Sequence, residues 1–206
     1  MRRHKLFYGS AYDRGLEILL DYWPIIRDCF PDASLDVAYG WEWFQARYGH
    51  DRDRMRWMRE MDARLNATGI IHHGRVGKDA LRAIRRSCGI WAYPCQVYEL
   101  YPITALEAQG DGCVPCVIEC GALGEVVQSG VKVNGSARDP DVRGSYIREL
   151  LALMGDEERW EQERRKGEAY AALHRWEHVA HAWLDYFQDS DSSKRMFQTP
   201  GAGTQQ

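Results

Sequence analysis

The sequence has no apolar run near the ~20 residues that a membrane-crossing helix needs, so no membrane span is expected. It also has no excess of one charge: 27 Lys+Arg against 30 Asp+Glu leave a formal −3. A near-neutral chain lacks the basic footprint of a nucleic-acid binder, and no nucleic-acid partner is expected. The basic start Met1-Arg2-Arg3-His4-Lys5 leads into Leu6-Phe7-Tyr8-Gly9-Ser10, which is too short and polar for a signal-peptide core. A cytoplasmic protein is therefore predicted. Six cysteines in 206 residues fit reduced, mostly buried thiols better than a disulfide framework. No internal repeat recurs. What is present is ordinary globular composition, 45% apolar and 28% charged, long enough to bury a real core.

Short β-type runs alternate with helical patterns along the chain. Lys5-Leu6-Phe7-Tyr8 reads as a first strand, and residues 34–39 as a second, with Leu35, Val37 and Tyr39 on one face and Gly40 closing it. Further strands are predicted at 69–74, 89–94, 114–118 and 131–133. Between them, a helix from Asp13 carries Leu16, Leu19, Leu20, Trp23 and Ile26 at helical spacing, and Pro24 inside it predicts a kink or restart. Residues 52–65 place Met55, Met58, Met61 and Leu65 on one stripe, read as core filling. Another helix is predicted at 78–86, and after Pro140 the pattern is helical to about Phe187. Such alternation implies an α/β fold: a parallel sheet of about six strands with helices on both faces. Ligands in these folds bind beyond the carboxyl ends of the strands. The division predicted is one domain over 1–188, followed by a Ser, Gly, Thr and Gln-rich flexible tail at 189–206.

The richest stretch runs from Tyr93 to Glu125. Glu99 and Glu107 stand eight apart, and Pro102 between them favours a helix start near residues 101–103. Glu99 then lies in the loop ahead and Glu107 about one turn into the helix. Both carboxylates can face a pocket where backbone N–H groups point at an anion such as a diphosphate.

Glu-x7-Glu followed by Ala-x-x-x-Gly-x-x-Pro resembles the signature of retaining, family 4-type glycosyltransferases of the GT-B fold. Further blocks agree in order: Asp13-Arg14-Gly15-Leu16 with Leu19-Leu20, Tyr22-Trp23-Pro24, Tyr39-Gly40-Trp41 and His73-Gly74-Arg75-Val76. The resemblance spans roughly residues 5–187 and covers only the C-terminal, donor-binding half of that fold, a Rossmann-like domain. It implies that Glu99 is the catalytic-site glutamate at the donor sugar and that Glu107 holds the ribose hydroxyls. The loop through Pro102, Ile103 and Thr104 would hold sugar and phosphates, with Ser10 beside them. Arg14 stands where the family has the lysine of a Lys-Gly pair, and a guanidinium suits a bidentate phosphate contact. The family's further basic residue upstream has no counterpart at Tyr8 or Gly9, and Arg75 is the candidate to compensate. The implied substrates are a nucleoside diphosphate sugar donor and an acceptor the sequence does not specify, with no metal or other cofactor. An acceptor domain on a separate N-terminal chain, or a homodimer, is the partner implied. The alternatives are a donor-binding half inactive alone (truncated, split or degenerate) and a sugar-nucleotide epimerase on the same fold.

Other features read as structural. Cys113-Val114-Pro115-Cys116 has metal or redox spacing but no second Cys pair. His174, His178 and His181 share a helical face without an acidic partner pattern. The mixed charges of 156–168 read as a solvated helix with i,i+4 pairs. Trp41, Trp43 and Trp91 lie near strand ends, and nothing in the sequence singles one out as a ligand contact.

Overall fold

Leu6, Phe7 and Tyr8 have no exposed surface in the computed structural model, which describes residues 1–188. They form β1 (Lys5–Tyr8), and their burial on both faces is what a central strand of a parallel sheet requires. The other strands are β2 (Ser34–Ala38), β3 (Ile70–Gly74), β4 (Ile90–Tyr93), β5 (Val114–Ile118) and β6 (Val131–Val133). All pair in parallel in a six-stranded sheet of order β3-β2-β1-β4-β5-β6. This is the doubly wound, Rossmann-like order, whose direction reverses between β1 and β4. The predicted α/β class and strand number are thus observed.

The helices are α1 (Leu16–Cys29), α2 (Glu42–Tyr48), α3 (Arg52–Arg64), α4 (Lys78–Ser87), α5 (Ile103–Gly110), α6 (Leu123–Val126), α7 (Pro140–Gly155), α8 (Glu157–Ala172) and α9 (Trp176–Gln188). Right-handed crossovers put the leftward connection through α1 and the rightward one through α4 on opposite faces of the sheet. On one face α1 packs against α7, and α3 is tied to α1 by the Arg64–Asp21 ion pair. On the other, α4 lies on β1 and α5 on β5. Caps mark several starts: Asp51 accepts from the N–H groups of Asp53 and Arg54 at α3, and Asp139 from Asp141 N–H at α7, where Pro140 opens the helix.

Three readings change. The helix does not restart at Pro24 but runs on through it, with Leu19, Leu20, Trp23 and Ile26 on both sides buried in the same core. The second strand stops at Ala38, leaving Tyr39 43% exposed past its end; since both faces of this strand are covered, alternation does not mark an outer face. The long C-terminal helical pattern is three helices, broken at Asp156 and at residues 173–175, and α2 and the one-turn α6 were not anticipated. The chain divides into two compact units, Met1–Ala171 and a second from Ala172 onward. The first holds the sheet and its core. Of the second, α9 is described; it buries none of its residues. The tail predicted at 189–206 lies outside the described residues. No helix among the described residues is long and apolar enough to cross a membrane.

Candidate functional site

The exits of β1 and β4 flank the point where strand order reverses, and the chain stitches them together. Gln96 Nε2 donates to the Asp13 carbonyl (3.0 Å), joining the loop after β4 to the turn after β1. Gly15, with φ of 125°, starts α1 with its Cα so near Pro94 that a Cβ would collide with the Pro94 carbonyl. The turn at Tyr12–Arg14 therefore has one place to stand. It holds Arg14 so that Nη1 lies 3.2 Å from Glu99 Oε1.

Glu99 is fixed from three sides. Tyr93, itself 1% exposed at the end of β4, donates its hydroxyl to Glu99 Oε1 at 2.6 Å. Ser10 Oγ lies 3.4 Å from that same hydroxyl. From the exit of β5, Ala122 N–H donates to the Glu99 carbonyl (2.8 Å), and Gly121, φ 60°, leaves room for that backbone. Oε2 of Glu99 has no protein partner among the described residues. Burial pushes the Tyr93 hydroxyl far above its usual range, with the nearby Tyr8, Cys95 and Glu99 adding to it, so it stays a donor. Burial works against the Arg14 charge, but Glu99 and Tyr93 outweigh it and raise its pKa. A fixed cation therefore stands beside a carboxylate with free lone pairs at the carboxyl ends of the strands.

Ser10, Arg14 and Glu99 are thus brought together. Pro102 caps α5, with Ile103 and Thr104 in its first turn, where backbone N–H groups have no intrahelical acceptor. Glu107 lies further along α5, 48% exposed, and its Oε2 sits 3.1 Å from Arg85 Nη1 on α4 without hydrogen-bond alignment. The two glutamates therefore engage different partners. Arg75 follows β3 and lines a cavity of about 290 Å³ with Gly9, Tyr39, Glu42, Trp43 and Val76, over the exits of β1, β2 and β3. Tyr93, Glu42 and Tyr39 are contributors that motif reading did not assign. Trp43 was noted at a strand end, and the cavity now distinguishes it from Trp41 and Trp91. The signal for Glu42 was weak, because α2 is too short for a periodic pattern to show.

The Cys113–Cys116 pair resolves into packing. Cys113 donates to the Arg85 carbonyl (3.0 Å), and burial raises its pKa to about 12; burial raises that of Cys116 further. No group of three or more His, Cys, Asp or Glu among the described residues is arranged to hold a metal ion.

No protein-family pattern and no curated protein sequence matches this chain. Solved structures do. A pneumococcal O-GlcNAc transferase, GtfA, in complex with UDP and GlcNAc superposes with a TM-score of 0.69 at 15% identity, covering 96% of this chain and 37% of that one. HepE of Anabaena in complex with UDP and glucose gives 0.68 at 15% identity, over 92% and 49%. Sucrose-phosphate synthase from Thermosynechococcus elongatus gives 0.67 at 17% identity, over 92% and 46%. The fold is shared with these proteins, and this chain spans less than half the length of each.

Proposed function

We propose that this chain is the donor-binding lobe of a retaining, family 4-type glycosyltransferase that transfers a sugar from a nucleoside diphosphate sugar. The observation that carries the reading is the Arg14–Glu99–Tyr93 constellation at the reversal point of the sheet. Its support is the fold shared with structures in complex with UDP and a sugar. In the transfer, the bond from the sugar anomeric carbon to the diphosphate breaks and an acceptor oxygen bonds to that carbon from the same face. The acceptor proton passes to the departing diphosphate. Arg14 is assigned the developing negative charge, with the N–H groups of Ile103 and Thr104 around it and with no metal or other cofactor. Glu99, held by Tyr93, offers its free Oε2 to the sugar. Glu107 is assigned the ribose hydroxyls, its misaligned pairing with Arg85 leaving lone pairs to accept them.

Acceptor recognition is assigned to a second lobe, on another domain, a partner chain or a second copy. Supporting this, Tyr98, Leu100, Tyr101 and Ile103 around Glu99 are 51–82% exposed, an apolar rim at the mouth of the site. Sugar transfer by this chain as a monomer, with no added protein, would overturn that part.

The test of the donor site is a thermal-shift titration with UDP, GDP, ADP and their sugar conjugates, on wild type, Arg14→Ala and Glu107→Ala. A ligand at ~100 Kd adds about 2.7 kcal/mol of stability, so one nucleotide is expected to raise Tm, and both variants to lose the rise. No shift with any of them at millimolar concentration would overturn the reading.

A further inference from the structure

The cavity over the exits of β1, β2 and β3 carries two charged side chains without a protein partner. Glu42 and Arg75 both line it, and neither side chain has a hydrogen bond or ion pair among the described residues. They converge on Gly40, φ 90°: a Cβ placed there would collide with the Glu42 carboxylate and stand 3.1 Å from Arg75 Cβ. Two opposite charges so placed, and not paired with each other, make an acceptor and a donor set side by side. Tyr39 and Trp43, 43% and 46% exposed, add aromatic rings to the same lining, and the Arg47 guanidinium stacks over the Trp43 ring at 5.4 Å. At about 290 Å³ the cavity has the size of the smallest ligand pockets, suited to one ring system rather than a whole nucleotide.

We infer that this cavity is a nucleobase seat that selects guanine, with Glu42 and Arg75 reading its edge; the inference rests on the donor-binding function proposed above. A carboxylate accepts two hydrogen bonds side by side and donates none, while a guanidinium donates in a fork and accepts none. Guanine alone among the common bases presents two adjacent N–H donors, N1–H and N2–H, followed along the same side by two acceptors, O6 and N7. Adenine puts an acceptor beside its one donor group, so a carboxylate meets a lone pair. Uracil offers one donor between two acceptors. Exposed aromatic rings add stacking, which every base accepts and which therefore gives affinity without selectivity. The lining also includes Leu81 of α4, the helix whose Arg85 lies beside Glu107.

The experiment is calorimetric binding of GDP, IDP, ADP and UDP to the full chain and to its Glu42→Gln and Arg75→Ala variants. Expected is GDP binding at least about tenfold tighter than the other three, since a site built for a hydrogen bond rejects the analogue that lacks it. IDP, which lacks only the N2 amine, isolates Glu42: Glu42→Gln closes the gap between GDP and IDP, and because an amide donates where the carboxylate met a lone pair, ADP and UDP bind the variant no more weakly than they bind wild type. Arg75→Ala weakens GDP and IDP alike, because both keep O6 and N7. UDP or ADP binding as tightly as GDP, or a gap between GDP and IDP that survives Glu42→Gln, overturns the base assignment while donor binding stands. Binding of none of the four overturns both. Glu42 is exposed, and circular dichroism checks that its variant folds; if it does not, the GDP and IDP comparison on wild type and Arg75→Ala decides.

Discussion

At the residue scale, the site depends on backbone positions as much as on charged side chains. Gly15 does two things: its φ of 125° is open to glycine and strained for any other residue, and it lets α1 begin against the Pro94 carbonyl. Gly15→Ala is expected to cost more than about 2 kcal/mol in chemical denaturation, because both the strain and the clash fall on one atom. Unchanged stability would mean that the contact between the β1 and β4 exits is slack. Glu99 was marked as a candidate by the Glu-x7-Glu spacing, and Arg14 through the family resemblance of Asp13-Arg14-Gly15-Leu16. Tyr93 was not, since a buried tyrosine in a strand reads as core until the fold shows where its hydroxyl ends.

Among the elements, α4 and α5 are joined at their C-terminal ends by a buried charge cluster. Asp111, just past α5, accepts from Arg85 Nε at 2.8 Å and meets Arg82 and Arg86 at 3.2 and 3.3 Å, while its carbonyl accepts from Arg2 at 2.9 Å. Arg85 is only 4% exposed, so Asp111→Ala leaves its buried guanidinium with the misaligned Glu107 alone and is expected to cost about 3 kcal/mol, measured by urea denaturation. Helix α8 behaves differently. Hydrogen bonds from Arg164 and Arg165 hold the Glu161 pKa down at about 2, against 4.5 for a free glutamate. A lowered folded pKa adds stability above the unfolded value, lost as pH falls through the folded one. The Tm difference between wild type and Glu161→Gln should therefore be full above pH 4.5 and vanish toward pH 2; a difference constant across that window would sink the pairing. The mixed-charge helix was foreseen from i,i+4 spacing, whereas α2 was not, because seven residues give two turns and one buried side chain, Phe44.

For the whole molecule, the sheet and the helices on both its faces share one continuous core in which Leu6, Leu35, Ile90, Val117 and Tyr146 are fully buried. Because β1 lies between β2 and β4, a cavity made there weakens both halves of the sheet together. Leu6→Ala is expected to lower stability by about 2–5 kcal/mol as a drop in the urea midpoint at unchanged slope. A change in slope, or a separate transition, would show that the two halves of the sheet unfold independently.

The sequence by itself determined the fold class, the number of strands and their approximate limits. Burial pattern, glycine exits and proline positions are local properties that spacing reports. It also marked Glu99 and Glu107 as candidates through their spacing, and Arg14 through the family resemblance of its block. The tertiary structure decided which of them meet. Strand order put β1 beside β4 and so set Arg14 against Glu99, while α4 claimed Glu107 through Arg85. It also brought Glu42 and Arg75, thirty-three positions apart in the chain, around Gly40 on one cavity. Such encounters follow from sheet order and helix packing, which no local pattern encodes.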